Sequence, residues 1–394
     1  MSLPGSIRRR SNMLVVLLAV FTLIVSGVVP LGRIGAPPPV AAATLDVCPS
    51  GCDYSTIGAA VAAAGPGDVI EIGPGTYNEN LSLGSTLALR GTGAAASDVV
   101  IDGGGAGWAI ATSFGAAVVI ENLTVTGGTG SEGGGIGPFG NVTLIDVRVT
   151  GNAATNGGGV ANKAGTLTIT GSTIDGNSAT SNGGGLYLSD GSQATVTNST
   201  ISGNWTVEGD AISSSGGGIY TVGGATTLTM TNVTVANNSS GFAGGIIQTT
   251  SSITARNSIF AGNTGGDCSA NGGFFPSGSS HNLVQGSSFC PGLADDPGSL
   301  TSVDPLLGPL QDNGGPTPTH ALAPGSPAID VANASEALGF NTFAPPLPAA
   351  ITFSDGVNGA AIVNDGSQDV LRTHAPAFTS GSAFLTESLR IDRD

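Results

Sequence analysis

Val142-Thr143-Leu144-Ile145-Asp146-Val147-Arg148-Val149-Thr150-Gly151-Asn152, Leu167-Thr168-Ile169-Thr170-Gly171-Ser172-Thr173-Ile174-Asp175-Gly176-Asn177 and Ala194-Thr195-Val196-Thr197-Asn198-Ser199-Thr200-Ile201-Ser202-Gly203-Asn204 are three copies of one phrase. The same spacing of apolar residues extends on both sides. Taking one anchor per copy gives Val125, Val149, Ile174, Ile201, Val235 and Phe260, separated by 24, 25, 27, 34 and 25 residues. Five residues earlier stand Ile120, Leu144, Ile169, Val196, Met230 and Ala255, and two residues before those Val118, Val142, Leu167, Ala194, Leu228 and Ile253. All are apolar. A fixed period in the twenties is the mark of a solenoid, because each repeat can bury its apolar side only against its neighbours.

The two-residue step is the period of a strand with one buried face, and the Thr, Asn and Ser residues between the apolar ones face outward. Three residues after each anchor come Gly128, Asn152, Asn177, Asn204, Asn238 and Asn263. Asn tolerates a left-handed backbone and suits a corner, and in stacked coils these Asn side chains would form a hydrogen-bonded ladder. Glycine clusters follow at Gly133–Gly135, Gly157–Gly159, Gly183–Gly185, Gly216–Gly218 and Gly244–Gly245, and then the apolar Ile136, Val160, Leu186, Ile219 and Ile246 open a third strand. Three strands and three corners per coil predict an all-β fold, a right-handed single-stranded parallel β-helix whose coils rise about 4.8 Å each. Ile57, Ala60, Val61 and Ala64 have helical spacing and predict a short capping helix within Tyr54–Ala64.

Of 394 residues 65 are Gly, 10% are charged and 40% are hydrophobic, a composition that fits a repeat architecture better than a helical enzyme or a disordered chain. Arg8, Arg9 and Arg10 precede an apolar run from Met13 to Val29, with Ala41, Ala42 and Ala43 after it: an export leader with the mature start near Thr44. An uncleaved membrane anchor is the alternative. The chain thus divides into 1–43 (leader or anchor plus linker), 44–300 (β-helix) and 301–394 (a C-terminal segment and irregular tail). Without the leader the net charge falls from −16 to 7 − 27 = −20, because residues 1–43 hold four basic and no acidic side chains. Such a surface repels phosphate polymers and excludes nucleic acid as a partner. Cys48 and Cys52, then Cys268 and Cys290, read as disulfides of an exported chain, with three connectivities open. Zinc is a weaker alternative, since only His281 lies near a cysteine pair.

The stretch Thr56–Asp102, with Pro66-Gly67-Asp68-Val69-Ile70-Glu71-Ile72 leading into Pro74-Gly75-Thr76-Tyr77, resembles the opening of the pectin-lyase-like superfamily. Ser302-Val303-Asp304-Pro305-Leu306-Leu307-Gly308-Pro309-Leu310, continued by Gln311-Asp312-Asn313-Gly314-Gly315-Pro316-Thr317-Pro318-Thr319-His320 and Ser326-Pro327-Ala328-Ile329-Asp330, resembles the signature of choice-of-anchor Q bacterial surface proteins. That group is related in repeat pattern to polymorphic outer-membrane proteins. The resemblance implies an extracellular, surface-associated protein. After Asp330 the sequence departs from the pattern, with no Cys, no apolar helix and too few residues for an eight-stranded barrel.

The pectin-lyase-like fold also hosts polysaccharide lyases, hydrolases and esterases, so catalysis is the rival reading, although fold alone assigns none. Glu121, Glu132, Asp146, Asp175 and Asp190 fall at different phases of the repeat, and Lys163, Arg148 and Arg256 are equally scattered, so no catalytic set is assigned. The pattern breaks once, between Asn204 and Gly216, where Trp205, Glu208 and Asp210 offer a site for a sugar ring or calcium. Asp295, Asp296, Asp304 and Asp312 could hold calcium but match no EF-hand spacing, and His320 reads as a packed residue. No cofactor is expected beyond that calcium. Two functions follow: a non-enzymatic adhesive, glycan-binding or structural module of the cell surface, or a lyase or glycoside hydrolase using the 204–216 loop.

Overall fold

A computed structural model describes residues 42–207, 215–271, 275, 278–286, 290–293, 296–329 and 332. Parallel strands wind into about nine coils of an all-β solenoid with almost no helix. Its registers match the repeat residue for residue. Val118 pairs with Val142, Leu167, Ala194, Leu228 and Ile253 in succession, and Ile120 leads the next inward row. Val125, Val149, Ile174, Ile201, Val235, Phe260 and Val284 make the third. Apart from a few small residues these rows are closed to solvent, and they form one continuous core cluster from Leu45 to Leu293. Aliphatic residues recur at fixed positions because each coil's side chain is the floor on which the next one packs.

A coil has four strands rather than the expected three: Asn141–Ile145, Arg148–Thr150, Ala153–Asn156 and Val160–Lys163. The first two belong to one seventeen-stranded sheet, bent at a single left-handed residue, while the other two belong to four- and eight-stranded sheets. The bend falls on Asn122, Asp146, Gly171, Asn198, Asn232, Asn257 and His281, each with φ between 46° and 60°. Behind it runs a row of small polar caps. Ser172 Oγ accepts from Val147 N at 3.0 Å, Ser199 Oγ from Ser172 N at 3.1 Å and Ser258 Oγ from Val233 N at 3.2 Å.

The second corner also differs from expectation. Its left-handed residue is not the recurring Asn but the one before it, namely Gly127, Gly151, Gly176, Gly203, Asn237 and Gly262, with φ of 56–67°. Five of these six are glycine, which takes that conformation without strain. The turn leaves the following Asn pointing inward. There Asn152 Nδ2 donates to Asn177 Oδ1 at 3.0 Å, Asn177 to Asn204 at 2.9 Å, Asn204 to Asn238 at 2.9 Å and Asn238 to Asn263 at 3.0 Å. Each Oδ1 also accepts the backbone N–H of the Asn before it. Asp267 ends the chain: its Oδ1 accepts from Asn263 Nδ2 at 2.7 Å and its Oδ2 from Gly286 N at 2.5 Å. Burial raises the pKa of this carboxyl above the ordinary carboxylate range. The glycine clusters have a matching cause. A Cβ on Gly135, Gly159, Gly185, Gly218 or Gly245 would lie 2.9–3.0 Å from a ladder amide, so the third glycine of the motif is the backbone seat of the Asn.

The helix Ile57–Ala63 closes the first coil with Ile57 and Ala60 buried. Thr56 caps it, and the Glu79 carboxylate takes the N–H groups of Ile57 at 2.8 Å and Gly58 at 2.7 Å. At the other end, residues 302–329 form a strap that turns back along the outside of the solenoid. Its antiparallel hairpin pairs Leu307–Gln311 with Thr319–Leu322. Pro316 O accepts from Ala96 N at 3.2 Å, Thr317 Oγ1 donates to Gly171 O at 3.0 Å and Pro318 O accepts from Thr173 Oγ1 at 2.6 Å. Further along, His320 meets Ser202, and Ala328 packs on Ile259, Ala261 and Leu283. Strap contacts therefore run from the Ala96 coil to the Leu283 coil. They explain why Thr173, Thr200 and Ser202, on the outward face of their strands, are nevertheless buried.

Candidate functional site

The residues singled out at the enlarged repeat are only partly placed. Trp205 stands on the strand Trp205–Thr206, in register with Ser178, and its side chain is 44% exposed. Glu208 and Asp210 lie outside the described residues. Ser215 returns the chain to register, bridging Asn182 and Phe242. Both cysteine pairs are bonded locally, Cys48 to Cys52 and Cys268 to Cys290. Of the acidic stretch, Asp304 and Asp312 cap their own turns by accepting from Leu306 N and Gly314 N at 2.9 and 2.8 Å, and Asp295 is outside the described residues.

Charged residues of the repeats, which their phases seemed to scatter, are brought together across coils. Arg148 makes a two-point pair with Asp175, Nε to Oδ1 at 2.9 Å and Nη2 to Oδ2 at 2.8 Å. Arg90 bridges Glu71 and Glu121 at 3.7 and 2.8 Å. Lys163 Nζ lies 3.1 Å from Glu132 and 3.5 Å from Asp190. The reason is geometric. A side chain one or two strand positions out of phase still reaches the next rung, because coils are only about 4.8 Å apart and long side chains span more than that. Hydrogen bonding to Asp175 and to Glu132 respectively holds the Arg148 and Lys163 pKa values above their ordinary range.

On the eight-stranded wall one outward row reads Ala161, Tyr187, Tyr220, Ile247. The rings of Tyr187 and Tyr220 stack, with centroids 5.7 Å apart and planes 12° from parallel. Both remain partly exposed. Tyr187 and Asp190 bracket the end of one strand, Leu186–Ser189, and Lys163 ends the strand beside it in register with Ser189. The stacked phenols and the Glu132–Lys163–Asp190 triad thus form one band of aromatic and polar groups. Burial pushes the Tyr187 phenol pKa up. Such a band can stack on the C–H face of a sugar and bond its hydroxyls. Sequence reading missed it, although two tyrosines 33 residues apart at the same place in consecutive glycine motifs, Gly185-Leu186-Tyr187 and Gly218-Ile219-Tyr220, were the available signal.

His320 is 2% exposed. Its Nδ1 donates to Gly308 O at 2.7 Å, which fixes the neutral ring so that Nε2 accepts from Ser202 Oγ at 2.8 Å. Burial lowers its pKa. One nitrogen is thus bonded within the strap and the other to the coil strand Gln193–Ser202, so the buried ring fastens the strap to the solenoid. Among the described residues no group of three or more His, Cys, Asp or Glu side chains could hold a metal ion, and no helix is long and apolar enough to cross a membrane.

The Cys268–Cys290 bond spans 22 residues and both its cysteines are buried, whereas Cys48–Cys52 spans four. Chain-entropy arguments give about 3 kcal/mol for the former and about 2 kcal/mol for the latter. Cys290→Ser is therefore expected to lower the melting temperature more than Cys52→Ser. Equal or absent shifts in thermal melts would contradict this.

The family model for the right-handed β-helix region matches residues 86–289. No curated protein matches. Among solved structures, pectin methylesterase from Aspergillus niger is 15% identical with a TM-score of 0.34, covering 66% of this chain and 85% of its own. Pectin methylesterase from Erwinia chrysanthemi is 13% identical, with a TM-score of 0.37 and coverage of 58% and 92%. The rice weevil pectin methylesterase is 14% identical, with a TM-score of 0.31 and coverage of 63% and 79%.

Proposed function

The chain belongs to the right-handed β-helix family, and on that footing we propose that it is an exported surface module that binds an extracellular glycan along its wall without turning it over. The observation that carries this reading is the Tyr187–Tyr220 stack beside the Glu132–Lys163–Asp190 triad. Stacked rings offer a rigid platform that loses little side-chain entropy on binding, which suits adhesion to a repetitive polymer. The leader-like Arg8–Val29 segment and the disulfides support export, and the 302–330 signature supports the surface role of choice-of-anchor proteins. The ion pairs beside the tyrosines favour binding over hydrolase or lyase chemistry there, because Glu132 and Asp190 both face Lys163.

A glycan array read with the purified protein, alongside a reducing-end assay on the polymers it binds, tests the reading. Binding without release of ends is expected, with Tyr187→Ala and Tyr220→Ala each weakening it about tenfold, the loss expected of one stacking contact. Depolymerisation of any bound polymer would refute the non-catalytic role.

A further inference from the structure

The strap does more than cover the solenoid. Where its turn crosses the coils it leaves a hollow of about 310 Å³ walled by Ala96, Leu310, Pro316 and Pro318, with Arg148, Gln311 and Asp312 reaching its lining. Arg148 spends Nε and Nη2 on Asp175, and among the described residues Nη1 has no hydrogen-bond partner. Asp312 uses Oδ1 on Gly314 N, and Gln311 uses its amide nitrogen on Asn313 Oδ1 at 3.0 Å, so one carboxylate oxygen and one amide oxygen remain as acceptors. The hollow thus combines the Arg148 guanidinium, the Gln311 and Asp312 acceptor oxygens, the Ser97 hydroxyl and an apolar wall, with the coil and strap residues more than 160 positions apart in the chain.

We propose that this hollow is a binding site for a single neutral pyranose unit. Size sets the first limit: about 310 Å³ is the lower edge of the range for small-molecule sites, about 300–1,000 Å³, and takes one sugar ring rather than an oligosaccharide. Charge sets the second. Asp175 already neutralises Arg148, Asp312 adds a negative charge, and the chain as a whole carries −16, so a uronate or phosphate is disfavoured. The chemistry of the lining sets the third. A purely apolar ligand would cover Arg148 Nη1 without pairing it and gain nothing from the exposed Gln311 and Asp312 acceptors, whereas a pyranose sets its C–H face against the prolines and its hydroxyls on Arg148, Gln311 and Asp312. This site is separate from the tyrosine band and stands without it.

Two-dimensional NMR titration of the full chain with glucose, galactose, N-acetylglucosamine and galacturonate tests the proposal. Saturable shifts confined to strap residues 310–318 and their coil partners are expected with at least one neutral sugar and not with galacturonate. Gln311→Ala and Asp312→Ala change exposed side chains that each make one local turn hydrogen bond, and each is expected to weaken that binding about tenfold with at most a small drop in melting temperature and an unchanged spectrum outside the strap. Tyr187→Ala is expected to leave it intact. The proposal fails if no neutral sugar shifts those residues at saturating concentration, if galacturonate binds as well, or if both strap variants bind like the parent chain. Loss of binding in Tyr187→Ala alone would move the sugar to the tyrosine band and overturn this site while leaving wall binding standing.

Discussion

Asn204→Ala should lower the stability of the solenoid by about 3–5 kcal/mol, the largest effect expected of any single truncation in this chain. Asn204 is closed to solvent and its side chain serves both directions along the axis. Its Oδ1 accepts from Asn177 N at 3.0 Å and Asn177 Nδ2 at 2.9 Å, while its own Nδ2 donates to Ile174 O and Asn238 Oδ1, both at 2.9 Å. Alanine removes the side-chain acceptor of the Asn177 N–H and one of the two acceptors of Asn177 Nδ2, which keeps Val149 O, and it takes the amide donor away from Ile174 O. Each orphaned group costs about 1–3 kcal/mol, and the vacated volume adds to that. Asn204→Asp keeps the acceptor and the shape but turns the donating end into a carboxylate oxygen facing Asn238 Oδ1, so it should be nearly as damaging at neutral pH. Urea titrations followed by circular dichroism measure both. A loss below about 1 kcal/mol for Asn204→Ala would mean that the ladder is decoration on a core held by aliphatic stacking alone.

The second large effect concerns the strap. In a solenoid each coil touches only its neighbours, so stability is a sum of local terms and unfolding can begin at either end. Residues 302–329 break that rule by contacting coils from Ala96 to Leu283. His320→Ala removes the bonds to Ser202 and Gly308 from a site that is 2% exposed, and should cost about 2–4 kcal/mol locally. Hydrogen exchange should accelerate across 302–329 while the inward rows of the coils stay protected. A chain ending at Thr301 should melt over a broader range, because nothing then ties early coils to late ones.

Acid should act in the same place. Burial depresses the folded-state pKa of His320 below the ordinary value of about 6.5, so the unfolded chain binds the proton more readily. The stability contributed by the neutral ring is complete above about pH 6.5 and is lost as pH falls from there toward the depressed value. Exchange in the strap should therefore quicken on acidification, and His320→Gln should abolish that dependence. A strap whose exchange is indifferent to pH between 7 and about 5 would remove His320 from this role.

The tyrosine band and the charge pairs show where sequence reading stops. Val118, Ile120 and Val125 announce their rows because burial selects one residue class in every copy, and like residues in register are the physical content of a stacked core. Nothing comparable marks Glu132 and Lys163, which lie 31 residues apart and meet only because the four-stranded and eight-stranded walls face a common corner. Phase along the repeat said they were scattered, yet a side chain of Lys length crosses between rungs. The outward Ile259 and Leu283 could have signalled the strap, since Ile259-Phe260-Ala261 and Leu283-Val284 abandon the alternation of earlier copies. The 302–330 segment was legible as a signature but not as a cover, because its own sequence contains turns and prolines rather than a periodic face.

What the sequence determined by itself is the axial order of this protein: the coil length, the inward rows, the asparagine ladder and the helical lid on the first coil. Each of these is a contact between equivalent residues of adjacent repeats, so the repeat carries the information directly. What only the tertiary structure decided is the lateral order: the bend within each first wall, the ion pairs between walls, the stacked phenols and the path of the strap. Those contacts join non-equivalent residues whose distance depends on corner geometry, and corner geometry follows from which residue takes the left-handed conformation. At the second corner that was the glycine before the Asn and not the Asn itself.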